Sequence, residues 1–358
     1  LSVIGKAIFC GCKKLDKINI QPETEETLFN YYDDKYFIYK TKFSSENYTL
    51  LWINPTIENI TLQKFINIID SYSFSLCSSL TEINIPSFVN CIRNYSFYQC
   101  SSLTKINIPT SVTSIEDYSF SECSSLKEIT IPISITSIGK YSFSKCTSLE
   151  QINIPTSVTS IGNYSFSECS SLTKIDIPSS IKTINEGVFN QCSSLIQITI
   201  PSLVTSIGPY AFCECSSLKQ ISIPSSVILI GYNAFSGCSS LMNIVIPPCV
   251  TIIRPLTFER CSSLTQIEIP SNVIIICEKA FSECSSLTHI TLSSSLQIIG
   301  FLAFYKCSSL KEIAIPFHVY KIEHDAFSEC SLLEQITIKS PLRIDNVDLS
   351  SNVIVKRV

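Results

Sequence analysis

Cysteines stand at 77, 100, 123, 146, 169, 192, 215, 238, 261, 284, 307 and 330, each 23 residues after the last. No insertion or deletion interrupts the run. A Phe lies three residues before each of them, from Phe74 to Phe327, and a Leu three after, from Leu80 to Leu333. An Ile lies six after, from Ile83 to Ile336. A single globular core does not lock its side chains to one fixed period, whereas stacked repeats do. The 358 residues therefore read as one repeat array rather than as two ordinary domains.

Within the repeat that begins at Leu103, the apolar positions are Leu103, Ile106, Ile108, Val112, Ile115, Phe120 and Cys123. Ile106 and Ile108 alternate with polar Lys105 and Asn107, the period-two pattern of a strand with one buried face. Pro109 ends that strand because it has no N–H to donate to a ladder. Val112 and Ile115 begin a return path. Phe120 and Cys123, three apart, predict one side of a short helical turn. Before each Phe stands a small residue (Ser, Ala, Thr or Val), which suits a tight packing position. Seven apolar side chains cannot repay the ordering of 23 residues, so an isolated unit does not fold and stability belongs to neighbouring pairs.

The series Leu-x-x-Ile-x-Ile-Pro-x-x-Val-x-x-Ile-Gly-x-x-Ala/Ser-Phe-x-x-Cys resembles the BspA-like leucine-rich repeat proteins. Leu172 to Pro178 and Val204 to Cys215 show the likeness well. It covers residues 55–338 densely and 1–20 in part. The resemblance implies a leucine-rich repeat solenoid: a right-handed superhelix with a concave parallel β-sheet, and short helical or 3-10 turns or short strands on the convex side. It also implies binding, since surface antigens and adhesins, including those of protist parasites, dominate that group. One departure is plain. The Asn column of ordinary leucine-rich repeats is replaced by Ser111, Ser134, Ser157 and Ser180, so no Asn ladder is expected.

Residues 1–20 read as a partial repeat, with Ile4, Phe9, Cys12, Leu15, Ile18 and Ile20 in step. The chain opens at Leu1 in mid-repeat, without Met or a signal-peptide pattern, and reads as a fragment. Residues 21–54 break the register. An aromatic run from Tyr31 to Tyr39 and a second apolar run from Tyr48 to Ile53 predict a hairpin-like insertion. That insert is either a structural spacer or an aromatic contact surface. Tandem repeats are expected over 55–338. The tail 339–358 is expected to be a cap, with Leu342, Ile344, Val347, Leu349 and Val353 covering the end of the core.

Eighteen cysteines would suggest a disulfide framework in a small secreted domain. Here twelve of them fill one apolar repeat position, about 4.8 Å apart if strand pairing sets the rise. Reduced core thiols and a disulfide ladder both remain open. Cys10, Cys12, Cys91, Cys213, Cys249 and Cys277 do not complete a zinc set, so no metal and no cofactor are expected. A net charge of −4 argues against nucleic acid and anionic membranes. No apolar run is long enough to span a bilayer.

The residues beside the strand Ile pair form one polar row: Glu82, Lys105, Glu128, Gln151, Lys174, Gln197, Gln220, Asn243, Gln266, His289, Glu312 and Gln335. These are either solvated strand positions or a ligand face whose side chains a stiff array holds at fixed intervals. No catalytic constellation is present: His289, His318 and His324 occupy different repeat positions, and no carboxylate is placed to orient them. Asn47, Asn59, Asn94 and Asn163 each begin an N-glycosylation acceptor triplet. The reading is a non-catalytic scaffold that binds a host or matrix protein at a cell surface or in secreted form. The alternative is a cytoplasmic regulatory scaffold holding an enzyme such as a phosphatase.

Overall fold

The computed structural model describes residues 28–32, 36–40, 48–53, 55–62, 66–339 and 353–357. It consists of two compact units, Leu1–Ser180 and Ile181–Val358. Both are parallel-strand solenoids, and among the described residues neither contains a helix. The partial repeat expected over 1–20 and the capping residues Leu342, Ile344, Val347 and Leu349 lie outside the described residues.

Most coils have a three-residue strand, a two-residue strand and a tight turn. In the first unit Asn59–Thr61, Glu82–Asn84, Lys105–Asn107 and Glu128–Thr130 form one parallel ladder, each residue opposite its equivalent 23 positions away. Gln151–Asn153 pairs in the same way with Lys174–Asp176. The return path gives a second ladder, Ser114–Ile115, Ser137–Ile138 and Ser160–Ile161. In the second unit Gln197–Thr199 pairs with Gln220–Ser222, and Gln266–Glu268 with His289–Thr291. Glu312–Ile315 pairs with Gln335–Ile338, and Ile354–Arg357 adds one more parallel strand beyond it.

The aromatic run at the start, read from sequence as one strand, is two: Leu28–Tyr32 and Tyr36–Lys40, paired antiparallel. Tyr36–Lys40 then pairs antiparallel with Tyr48–Ile53, which runs parallel to Ile66–Ile69 of the first coils.

The Phe–Cys segment is not a helical turn. Tyr118 and Glu122 have φ of 57° and 62°, and the equivalent residues of the other repeats are left-handed too. The N–H groups of Ser119, Ser121 and Cys123 donate three residues back, while those of Tyr118, Phe120 and Glu122 donate to Lys140, Ser142 and Ser144 of the next repeat. Two successive turns thus satisfy every N–H from 118 to 123, half of them within the turn and half across to a neighbour. Three-residue spacing puts Phe and Cys on one side in a helical turn and in this double turn alike, which is why the sequence suggested the former.

The Leu, Phe and Cys columns are buried, and so is the Ile column from Ile83 to Ile336 except at half-buried Ile290, with Phe74 to Phe304 fully enclosed. Phe rings stack on their neighbours at 4.7–5.5 Å in the first unit and at 5.3–5.7 Å in the second. The thiols carry a hydrogen bond as well as filling space. Cys123 and Cys146 donate Sγ–H to the carbonyls of Phe97 and Phe120 at 3.1 and 3.2 Å. Cys238 and Cys261 do the same for Phe212 and Phe235. The Ser column replaces the missing Asn ladder: Ser134 and Ser157 Oγ donate to Val112 and Ile135 carbonyls at 2.6 and 2.7 Å. Cys213 is half-buried while Cys215 is enclosed, so the C-x-C pair straddles the wall of the coil.

Candidate binding face

Strand alternation turns the first and third residues of each three-residue strand outward and the second inward, giving an exposed–buried–exposed pattern. In the first unit this exposes Glu82, Lys105, Glu128, Gln151 and Lys174. Three of these, Lys105, Glu128 and Lys174, are already engaged. Lys105 Nζ lies 2.9 Å from Glu128, and Lys174 Nζ lies 3.4 Å from Asp176. The hydrogen bond between Lys105 and Glu128 raises the pKa of Lys105, through the Glu128 carboxylate, and lowers that of Glu128, through the Lys105 ammonium. The first unit's row is therefore largely self-neutralised.

The second unit differs. Gln197, Gln220, Asn243 and Gln266 are exposed, and their side chains make no hydrogen bond among the described residues. Gln197 stands opposite Gln220, and Gln220 opposite Asn243. Gln266 stands opposite His289. Gln335 is the exception, half-buried with its Nε2 donating to Thr337 at 3.1 Å. Each free amide offers both donors and an acceptor.

His289 has a defined tautomer. Thr288 Oγ1 donates its one hydrogen to the Thr265 carbonyl at 3.1 Å. The 2.9 Å contact between Thr288 Oγ1 and His289 Nδ1 must then run from Nδ1–H to the hydroxyl, and in the neutral imidazole Nε2 is the acceptor.

A groove of about 580 Å³ opens along this face, lined by Asn243, Val245, Gln266, Glu268, His289 and Thr291 among others. Only a single bridge at Asn243 ties its first wall to the preceding strand. Sequence reasoning missed Val245 and Met242, which are 78% and 50% exposed. The signal was available: Val245 occupies a column that, apart from Ala314, elsewhere holds polar residues such as Asn107, Thr130, Asp176, Thr199 and Ser222. The groove thus joins an apolar spot to neutral donors and acceptors, with one carboxylate at Glu268.

Of the acceptor triplets, Asn94 is exposed, its Oδ1 receiving the Asp117 N–H at 3.0 Å, and Asn163 is half-buried. Asn59 lies within a strand, and Asn47 lies outside the described residues. Among the described residues, no group of three or more His, Cys, Asp or Glu could hold a metal ion. No helix there is long and apolar enough to cross a membrane.

The chain matches the BspA type leucine rich repeat region, in six copies, over residues 46–157, 136–265 and 251–352. Among solved structures it is similar to a leucine-rich repeat protein of Bacteroides ovatus, with 28% identity and a TM-score of 0.70, over 94% of this chain and 99% of that one. A leucine rich cell surface protein of Faecalibacterium prausnitzii matches with 25% identity and a TM-score of 0.58, over 94% and 96% of the two chains. The pneumococcal vaccine antigen PcpA shares the fold at 17% identity and a TM-score of 0.54, over 94% of each chain. No curated protein matches the chain significantly. With a 23-residue coil, stacked Phe and Cys columns and a match spanning most of its length, this chain belongs to the BspA-type leucine-rich repeat family.

Proposed function

We propose that the chain is a non-catalytic protein-binding scaffold, a surface antigen or adhesin that takes a host or matrix protein on the strand face of its second unit. The row of unengaged amides bordering the Asn243–Thr291 groove carries this reading. Amides held on paired strands meet a ligand's polar groups without first giving up partners of their own. The likeness to a cell surface protein supports the location, and sugar on Asn94 or Asn163 would follow from export. A nucleic-acid partner does not fit a net charge of −4.

One observation favours the cytoplasmic alternative, a scaffold for an enzyme such as a phosphatase. The column cysteines are free thiols used as hydrogen-bond donors, which suits a reducing compartment.

Purified matrix glycoproteins, presented singly to the immobilised full chain and to a Gln220→Lys/Gln266→Lys double variant, test the face. The native chain should retain a ligand that the variant loses, with both melting at the same temperature. Equal retention by the two would refute the assignment. Antibody labelling of intact source cells separates the locations: an unlabelled surface, with every cysteine titratable after denaturation, would favour the cytoplasmic scaffold.

A further inference from the structure

The first left-handed position of the turn is Tyr72, Tyr95, Tyr118, Tyr141 and Tyr164 in successive repeats of the first unit. Their rings stack face to face, with centroids 4.8, 4.4, 4.7 and 5.0 Å apart and planes within 9° of parallel. All five are half-buried, so the pile keeps an edge in water. The turn itself does not require tyrosine. In the second unit the same left-handed position holds a tyrosine once, Tyr210, and otherwise Gly187, Asn233, Leu256, Lys279, Leu302 and Asp325. What a phenol offers and those other residues lack is one-electron chemistry.

We propose that this tyrosine pile is a site of oxidative cross-linking, in which a haem peroxidase using hydrogen peroxide couples neighbouring rings into dityrosine and so ties successive repeats covalently. Two phenols each give one electron and the hydroxyl proton to the oxidant, and hydrogen peroxide takes up both electrons and both protons to leave as two waters. The two phenoxyl radicals join by a carbon–carbon bond between positions ortho to oxygen. The hydrogens on those carbons then move to the oxygens, which restores both hydroxyls. Two tyrosines and one peroxide thus give one dityrosine and two waters.

The geometry favours this on two counts. The scaffold holds neighbouring near-parallel rings with centroids 4.4–5.0 Å apart, which raises their effective concentration. Electron transfer between stacked neighbours also lets a radical formed on any ring migrate along the pile until a second one lies beside it. Burial, with the neighbouring tyrosines, pushes the Tyr118 phenol up to about 12, so at neutral pH it is the O–H form that is oxidised.

Two other tyrosine contacts serve as internal comparisons. Tyr95 and Tyr98 meet edge-on at 5.7 Å and 76°, and Tyr210 and Tyr232 of the second unit at 5.2 Å and 85°. The full chain, treated with a plant haem peroxidase and hydrogen peroxide, should develop dityrosine fluorescence while remaining monomeric. Peptide mass spectrometry should find links 72–95, 95–118, 118–141 and 141–164, and none at 95–98 or 210–232. Tyr118→Phe keeps a stacked ring but cannot couple. It should lose the two links at 118, keep the other two, and melt like the native chain. Tyr98→Phe should leave all four. Links found only between chains, edge-on pairs linked as abundantly as stacked ones, or a link pattern unmoved by Tyr118→Phe would overturn the proposal.

Discussion

A cysteine in this fold does two jobs, and only one of them is visible in the sequence. That the column is apolar and small follows from its period and from the Phe and Leu on either side. That the thiol also donates to the Phe carbonyl of the preceding repeat depends on where the coil brings Cys146 and Phe120, which no spacing rule states. The arrangement has a pH consequence. Burial holds the thiols of Cys169, Cys284 and Cys330 at about 12, against an ordinary value of 9.0. Above 9.0 an unfolded thiol has lost its proton while the folded one keeps it, so stability falls as pH rises. Below 9.0 both are protonated and the term is flat. Urea unfolding followed by circular dichroism should therefore show level stability up to about pH 9 and a decline toward about pH 12. In a Cys284→Ala variant the decline should be shallower. A variant with the same slope as the native chain would show that other groups set the alkaline limit.

Among the elements, the strands were legible and the turn was not. Alternation around Ile106 and the Pro after Ile108 marked the three-residue strand, and Val112 with Ile115 marked the return. The double turn was hidden because its left-handed positions are filled by Tyr, Glu, Gln and Lys, where a reader looks for Gly or Asn. Among the described residues Gly187, Asn233 and Gly237 give it away. A non-glycine residue at such a position costs about 1–2 kcal/mol. Glu329, exposed at φ 62°, should therefore gain roughly 1 kcal/mol on Glu329→Gly. The opposite substitution in a close-packed place should lose stability. A Cβ on Gly162 would lie 2.5 Å from the Lys140 backbone nitrogen, so Gly162→Ala should cost about 1–3 kcal/mol. Denaturation midpoints that move the same way for both would contradict this account of the turn.

For the molecule as a whole, the family came from the likeness of the repeat's motif, while the period yielded the repeat and the polar row directly, because each is a statement about every twenty-third residue. It did not tell which part of the row is unengaged. Lys105 and Lys174 of that row face carboxylates, and the groove lies instead among Gln266, Asn243 and His289. Register also governs what the chain tolerates. Removing residues 149–171, one whole coil of the first unit, brings Leu172 to the place of Leu149 and should leave a cooperative fold with unchanged β-signal per residue. Removing 149–170 shifts every later strand by one, exchanging buried and exposed faces, and should not. Equal behaviour of the two deletions would mean that register is not what holds the coils.

Each turn hands half of its N–H groups to the coil that follows, and every coil receives them at equivalent carbonyls. A gene for such a chain is a run of near-identical segments, which recombination can misalign. Unequal exchange by whole segments then yields a protein whose new neighbours already present the right acceptors. Variation in length, ruinous to most folds, is here a change that inheritance can make in a single step.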